Sequence, residues 1–159
     1  WLLAHERGLA EAARPAPGAV ALLRALHVAG CKLGVLTRNA RALARVTLEV
    51  IGVGALIDDA AIVGRDEAAP KPAPDGLHYF LRRWDVAAAQ LTMVGDHLHD
   101  LACGRAVGVR TVLVNAPADA WPGMADWRLR DCTELLARWR MDPVRGSSVP
   151  AGVTEGRRD

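Results

Sequence analysis

Two aspartates four residues apart, Asp96 and Asp100, follow a short apolar segment that ends at Gly95. If a helix begins near His97, both carboxylates lie on the same side of its first turn. Two close carboxylates repel each other unless a cation offsets their charge, and hard oxygen ligands suit Mg²⁺. In the alternative interpretation, Asp96 caps the helix and Asp100 is a solvated acid that the helix dipole favours. The spacing alone leaves both interpretations open.

Thr37 and Lys71 are two further residues whose types suit phosphate chemistry. Thr37 follows an apolar segment and precedes a helix, so its hydroxyl and the next backbone N–H groups can hold a phosphate oxygen, or the hydroxyl can simply cap the helix. Lys71 stands between two prolines, which restrict the local backbone, and it is one of only two lysines among 20 lysines and arginines. The compact positive charge of a lysine at this position suits the binding of an anion. An ordinary surface lysine is the other interpretation.

The polar neighbours of these residues are weaker candidates. Arg38 and Asn39 can reach a substrate, or they can be solvated residues ahead of a helix. His97 and His99 can contact a substrate or a metal, but exposed first-turn residues are the simpler interpretation. Packing rather than ligand stacking is expected for Trp84, Trp121, Trp127 and Trp139.

The length and composition predict one globular, cytoplasmic domain. The chain has 159 residues, of which 51% are apolar and 24% charged, and its net charge of +2 gives no reason to expect a nucleic-acid partner. No apolar run is long enough for a membrane span. Three widely spaced cysteines indicate reduced thiols rather than a disulfide framework or a zinc site. The excess of arginine over lysine suggests a GC-rich bacterial genome, and the start at Trp1 suggests an incomplete reading frame.

Hydrophobic periodicity predicts helices that alternate with short strands, and therefore an α/β fold with a parallel sheet covered on both faces. Because ligands bind beyond the carboxyl ends of parallel strands, Thr37, Lys71 and Asp96 are expected to converge on one edge of that sheet. The predicted helices span residues 2–13, 19–28, 40–51, 75–84, 98–107 and 133–139. The predicted strands span residues 32–37, 60–64, 91–95 and 111–115, with a weak strand at 127–129.

Three segments resemble, in order, the second, third and fourth motifs of the haloacid-dehalogenase-like (HAD) hydrolase superfamily, in its phosphoglycolate-phosphatase-like branch. They are residues 35–39 (VLTRN), 70–72 (PKP) and 94–100 (VGDHLHD). The resemblance runs from about Pro15 to Leu136. It implies a three-layer Rossmann-like core. It also implies a Mg²⁺-dependent phosphatase that acts on small-molecule phosphate esters such as phosphoglycolate.

The resemblance also implies a role for each motif residue. Thr37 would bind the phosphate being transferred, and Lys71 would neutralise the nucleophile and the phosphoryl oxygens. Asp96 would ligate Mg²⁺, and Asp100 would hold a water molecule of the metal or Lys71. These four residues are the expected catalytic set, and the two aspartates are the expected metal ligands. The expected substrate contacts are Thr37, Arg38, Asn39 and Lys71.

One motif of the family does not occur in this chain. In the family an aspartate attacks the phosphate and a second aspartate, two residues on, acts as acid and then as base, in a DxDxT motif upstream of the other three. No aspartate precedes Asp58. The family's sheet order is 5-4-1-2-3, with the nucleophile strand in the centre. The strands at 91–95 and 32–36 are therefore expected to lack one parallel partner each.

This departure predicts the organisation of the chain. Residues 1–14 are expected to be the remnant of a cap or linker helix, residues 15–140 a partial HAD core without its first, central strand, and residues 141–159 a disordered tail. Alone, the chain is expected to be inactive and poorly folded, because two strands would present unpaired backbone groups at an edge.

Other functions stay open on the sequence alone. A non-catalytic relic or an interaction module would keep the same scaffold without the chemistry. A dehalogenase is disfavoured, because halide displacement does not need the metal that Asp96 and Asp100 imply. A flavodoxin-like or receiver-type fold also places acids at strand ends, but it does not explain Thr37, Lys71 and both aspartates in that order.

Overall fold

The fold is described from a computed structural model, which covers residues 7, 8 and 10–141. The helices in that part of the chain are α1 (Ala19–Val28), α2 (Arg41–Val50), α3 (Asp75–Trp84), α4 (Leu98–Val107) and α5 (Cys132–Met141). The strands are β1 (Val35–Leu36), β2 (Ile62–Val63), β3 (Thr92–Gly95), β4 (Arg110–Leu113) and β5 (Trp127–Arg128). Short 3₁₀ turns occupy Gly54–Leu56, Asp59–Ala61 and Ala88–Gln90.

The predicted α/β fold with parallel strands is confirmed. Val35 of β1 pairs with Ile62 of β2, and Gly95 of β3 pairs with Leu113 of β4, which in turn pairs with β5. Within the described residues these strands form two separate sheets, β1-β2 and β3-β4-β5. Strands β1 and β3 therefore each have one partner, as the sequence led us to expect. Strands of parallel sheets are normally buried on both faces, yet Val94 in β3 is 38% exposed.

The helix bounds were predicted better than the strand bounds. Helices α1, α3 and α4 have the predicted bounds, because each is bounded by a local signal: Gly18 before α1, Pro74 before α3 and Gly108 after α4. The predicted strand 60–64 was too long, because the Asp58 carboxylate accepts a hydrogen bond from the N–H of Ala60 and caps a 3₁₀ turn there. The predicted strand 32–37 was also too long, because only Val35 and Leu36 pair with β2.

Both ends of the chain extend beyond the described residues. Residues 7, 8, 10 and 11 are helical, in agreement with the predicted helix 2–13, and residues 1–6 and 9 lie outside the description. Met141, which we assigned to the tail, is the last residue of α5. The rest of the predicted tail, residues 142–159, lies outside the described part. No helix in the described part of the chain combines the length and the apolar character needed to cross a membrane.

Most of the buried apolar residues fall into two clusters with no member in common. The larger cluster packs α2 and α3 against β2 and β3, with Ile62, Phe80 and Met93 among its members. The smaller cluster packs α1 and α5 against β4, through Leu22 and Val112 among others. Packing is confirmed as the role of three of the tryptophans, namely Trp84 on the larger cluster and Trp127 and Trp139 on the smaller one.

Gly18 brings the start of α1 against the start of α5. Its φ is +77°, and a Cβ added to it would lie 2.3 Å from the backbone nitrogen of Thr133. Gly30, just after α1, has the same φ of +77°, but apart from its own chain neighbours no atom of the described residues lies within 4 Å of the place a Cβ would take. The two glycines therefore share one backbone conformation and differ in the space around them.

We expect Gly18→Ala to lower the free energy of unfolding more than Gly30→Ala does. Both substitutions force alanine into a left-handed conformation, which costs roughly 1–2 kcal/mol. Only Gly18→Ala adds an overlap with a helix backbone, and overpacking of this kind costs about 1–3 kcal/mol more. Chemical denaturation of both variants, made in the chain that includes the residues encoded upstream of Trp1, measures the difference. If both variants lose the same free energy of unfolding, the contact between α1 and α5 can accommodate the extra methyl group without a further cost.

Candidate functional site

An open pocket of about 260 Å³ lies at the carboxyl ends of β1 and β3. All six residues predicted for catalysis, substrate binding or metal binding line it, together with two histidines. The lining residues are Thr37, Arg38, Asn39, Lys71, Asp96, His97, His99 and Asp100. The fold thus brings together segments that are up to about sixty residues apart in the chain, as expected for strand ends of a parallel sheet.

Lys71 and Asp100 form a buried ion pair in this pocket. The Nζ of Lys71 donates to Oδ1 of Asp100 at 2.5 Å, and the two side chains are only 13% and 6% exposed. The other carboxylate oxygen of Asp100, Oδ2, accepts a hydrogen bond from the backbone N–H of His97 at 3.1 Å. Asp100 is therefore not a solvated first-turn acid, and Lys71 is not an ordinary surface lysine.

Helix α4 is capped by His97 and not by Asp96. The Nδ1 of His97 accepts a hydrogen bond from the backbone N–H of His99 at 3.2 Å, while Asp100 accepts from the N–H of His97. This reciprocal arrangement satisfies two N–H groups that the first turn of a helix otherwise leaves unpaired. Asp96 is exposed, and no hydrogen bond to it is found within the described part of the chain. Its carboxylate is therefore available to a cation.

Gly95 lets the carboxylate of Asp100 lie directly against the end of β3. A Cβ on Gly95 would lie 2.3 Å from both Cγ and Oδ2 of Asp100. Asp100 is held by Lys71 and by the N–H of His97, so a displacement of its carboxylate would break these hydrogen bonds. The absence of a side chain at Gly95 thus makes room for Asp100.

Thr37 lies at the end of β1 without capping a helix. Its N–H donates to the carbonyl oxygen of Val63 at 2.9 Å, and its Oγ1 accepts from the N–H of Asn39 at 3.1 Å. Helix α2 begins only at Arg41, so the interpretation of Thr37 as a helix cap is wrong. No acceptor in the described residues binds the N–H of Arg38, beside this hydroxyl. A hydroxyl and an N–H group are thus both available to one anionic oxygen.

Arg38 and the two histidines form the outer wall of the pocket. The Nη1 of Arg38 lies 3.0 Å from Nδ1 of His99, which links the loop after β1 to the first turn of α4. The rings of His97 and His99 lie 4.5 Å apart, and the ring of Trp121 lies 5.2 Å from that of His97. His97 is exposed, as the simpler interpretation predicted, whereas His99 is half-buried. Trp121 is the tryptophan that lies beside the pocket.

Cys103 supports the pocket from behind, a role that was not predicted from the sequence. It is fully buried, and its Sγ donates to the carbonyl oxygen of Ala73 at 3.2 Å, which ties α4 to the segment after Lys71. Burial raises the pKa of the Cys103 thiol to about 11, so the thiol is a neutral donor. The available signal was its spacing, since residues three apart share one face of a helix and Asp100 precedes Cys103 by three.

The donor set fits a magnesium ion that is shared with a substrate. Mg²⁺ commonly takes one or two protein carboxylates, several waters and the phosphate oxygens of a substrate. Asp96 offers an exposed carboxylate at the pocket, and both oxygens of Asp100 are engaged. Among residues 7, 8 and 10–141, no group of three or more histidine, cysteine or acidic side chains forms a metal site by itself. The residues thus suit an ion bound partly by substrate rather than a closed protein site.

Comparison with known proteins agrees with this geometry. Residues 3–114 match the haloacid dehalogenase-like hydrolase family. A phosphoglycolate phosphatase of Rhodospirillum rubrum is 42% identical over 100 residues, which are 62% of this chain and 41% of that protein. The pyrophosphatase PpaX of Bacillus velezensis is 33% identical over 86 residues, which are 54% of this chain and 39% of that protein. The chain thus spans about two fifths of the length of these curated relatives.

Solved structures share the fold. A HAD phosphatase from Thermococcus onnurineus superposes with a TM-score of 0.69 at 31% identity, over 77% of this chain and 56% of that one. CbbY from Rhodobacter sphaeroides, solved in complex with phosphate, superposes with a TM-score of 0.71 at 23% identity, over 81% and 60%. The family match covers well over half of the sequence, which confirms the resemblance of the three motifs: this chain belongs to the haloacid dehalogenase-like hydrolase family.

Proposed function

We propose that these residues form most of the catalytic core of a Mg²⁺-dependent phosphatase that hydrolyses small phosphomonoesters through an aspartyl-phosphate. The observation that supports this best is the buried pair of Lys71 and Asp100 beside the exposed Asp96. Removing two charges from water is costly, and a buried ion pair is weak evidence for stability. A pair of this kind in the wall of an open pocket is better explained by a function there.

In this proposal each residue at the pocket has a distinct task. The hydroxyl of Thr37 and the N–H of Arg38 bind one oxygen of the phosphoryl group. Lys71, held in place by Asp100, offsets the negative charge of the phosphoryl oxygens and of the attacking carboxylate. Asp96 would hold Mg²⁺, with Asp100 beside it. When bound, Mg²⁺ shields the charge of the phosphate and stabilises the charge of the transition state.

The proposal places the nucleophile outside these 159 residues, on a strand between β1 and β3. An aspartate there forms a bond to phosphorus as the ester P–O bond breaks, and a second aspartate gives its proton to the leaving oxygen. The second aspartate then takes a proton from the water that attacks the aspartyl-phosphate, and inorganic phosphate leaves. In support, β1 and β3 each pair on one side only within the described residues, and Val94 of β3 is partly exposed.

We also propose a phosphoglycolate-like substrate and a cytoplasmic location. The relative from Rhodospirillum rubrum is named phosphoglycolate phosphatase, and that from Bacillus velezensis pyrophosphatase. Both names refer to small phosphate compounds. The three cysteines of the described residues, Cys31, Cys103 and Cys132, are all free thiols, which suits a reducing compartment.

The test compares two lengths of chain. We call the chain with the residues encoded upstream of Trp1 the extended chain. It is expected to hydrolyse p-nitrophenyl phosphate and phosphoglycolate with Mg²⁺, to lose this activity in EDTA and to regain it when Mg²⁺ is restored. The 159-residue chain alone is expected to be inactive and to unfold without a cooperative transition, because β1 and β3 keep unpaired edges.

Two results would contradict the proposal. The first is an upstream sequence without two aspartates, two residues apart, after an apolar strand; this would favour a non-catalytic relic. The second is phosphate release by the 159-residue chain on its own, which would mean that the nucleophile lies within the printed sequence.

A further inference from the structure

Arg38 brings a positive charge to the pocket, and no carboxylate of the described residues forms an ion pair with it. Lys71 is paired with Asp100, and Asp96 is the expected ligand of the metal ion. The described residues contain no acidic side chain in ion-pair contact with Arg38, and the recorded partner of its side chain is a ring nitrogen of His99 at 3.0 Å. A neutral imidazole accepts a hydrogen bond but cancels no charge. The guanidinium is therefore a free cation at the mouth of a phosphate pocket.

The hydrogen bond to His99 also fixes where this charge lies. Arg38 directly follows Thr37, and His99 lies in the first turn of α4, 61 residues further along the chain. His99 is in turn flanked by His97, whose ring lies 4.5 Å away, and His97 by Trp121. One guanidinium N–H group is used by His99, which leaves the other donors for a ligand. Two parallel N–H groups of a planar guanidinium match the two oxygens of a carboxylate or a phosphate group.

We infer that Arg38, oriented by His99, binds a second anionic group, a carboxylate or a phosphate, on the leaving group of the substrate. This rests on the proposed function, in which Thr37 and Lys71 bind the phosphoryl group that is transferred. The inference defines a substrate class, namely small phosphate esters or anhydrides with a negative charge two or three bonds beyond the bond that breaks. His99 is a positioning residue, since it acts through Arg38.

The experiment compares substrates of similar size that differ in this second group. Phosphoglycolate carries a carboxylate, pyrophosphate carries a second phosphate, and 2-hydroxyethyl phosphate carries a neutral hydroxyl in the same place. The measured quantity is the kcat/KM of the extended chain with Mg²⁺ for each anionic substrate, divided by that for 2-hydroxyethyl phosphate. The two ratios show whether the carboxylate or the phosphate is the preferred group.

We expect at least one of these ratios to be about 10–100 for the unaltered protein, as is typical of a hydrogen-bonded charge pair. Arg38→Met should lower that ratio, to near 1 for phosphoglycolate, and Arg38→Lys should leave an intermediate value, because lysine keeps the charge and loses the planar set of N–H donors. His99→Leu should reduce the ratio by a smaller factor, mainly through KM. Arg82→Met, which changes an exposed arginine of α3, is the matched control and should leave the ratio unchanged.

The outcomes distinguish this inference from the proposed function. Hydrolysis of all three compounds with ratios near 1, or a ratio that Arg38→Met does not change, would overturn the inference while the phosphatase stands. If His99→Leu changes only the stability and not the ratio, His99 does not position Arg38. Failure of the extended chain to hydrolyse any of the three compounds would overturn the phosphatase and the inference together.

Discussion

Replacing Lys71 with methionine is expected to reduce phosphatase turnover of the extended chain by about 10²–10³-fold or more, because a charge that stabilises the transition state is lost. The same change should lower the free energy of unfolding by about 3–5 kcal/mol. It leaves the carboxylate of Asp100, which is 6% exposed, buried without its cation. Steady-state kinetics and chemical denaturation measure the two effects separately.

Lys32 provides the matched control, since the chain has only these two lysines. Its Nζ donates to the carbonyl oxygen of Trp84 at 3.0 Å, and the residue is exposed. Lys32→Met should change the free energy of unfolding by no more than about 0.5 kcal/mol and should leave turnover unchanged. A Lys71→Met protein that matches the Lys32→Met protein in both measurements would refute the assigned role of the buried pair.

A double variant separates charge burial from catalysis. Lys71→Met combined with Asp100→Asn removes both charges, so part of the lost stability should return. Turnover should not return, because the cation that acts on the phosphate is still absent. Recovered turnover in the double variant would mean that Lys71 serves only to compensate Asp100.

Gly95→Ala is expected to have the second largest effect, because it displaces Asp100 without changing any charge. The added Cβ would lie 2.3 Å from Cγ of Asp100, which is held on two sides. Displacing a group that orients a metal site typically costs 10–100-fold in metal affinity or activity, so about that loss is expected here. The Mg²⁺ concentration that gives half-maximal activity should rise as turnover falls.

Gly104→Ala is the steric control for this prediction. A Cβ on Gly104 would lie 2.5 Å from Cγ2 of Thr111, a comparable overlap with residues that do not line the pocket. It should lower the free energy of unfolding by about 1–3 kcal/mol while the dependence on Mg²⁺ stays that of the unaltered protein. If both glycine variants shift the Mg²⁺ dependence equally, the contact between Gly95 and Asp100 is not specific to the site.

The helical part of the fold was predictable because its signals are local. Helix α3 shows an apolar period from Leu77 to Phe80, and helix α4 shows a glycine, Gly108, in a left-handed conformation at its end. The strand bounds were less predictable, since they depend on pairing. The predicted strand began at Lys32, but β2 pairs only with Val35 and Leu36. The bounds of β1 are therefore set by residues in a distant part of the chain.

The candidate site was partly predictable for the same reason. The spacing of Asp96 and Asp100 and the position of Lys71 between prolines are visible in the sequence. Lys71 forms its ion pair with Asp100 and not with Asp96. This choice depends on how α4 starts, and therefore on the unexpected cap at His97. The link from Cys103 to Ala73 was equally out of reach, because it joins residues 30 positions apart that only the packed fold brings together.

The two separate clusters of buried residues have an evolutionary consequence. The cluster of α1, β4 and α5, with Leu22 and Leu135, includes no residue of the pocket. The larger cluster includes Met93 and Cys103. Met93 lies in β3, which ends just before Asp96, and Cys103 lies in α4, the helix that contains Asp100. On the proposed function, substitutions in the smaller cluster are therefore filtered by stability alone, whereas those in the larger cluster are filtered by stability and by activity. Among relatives of this chain, sequence drift should be faster in α1 and α5 than in α4.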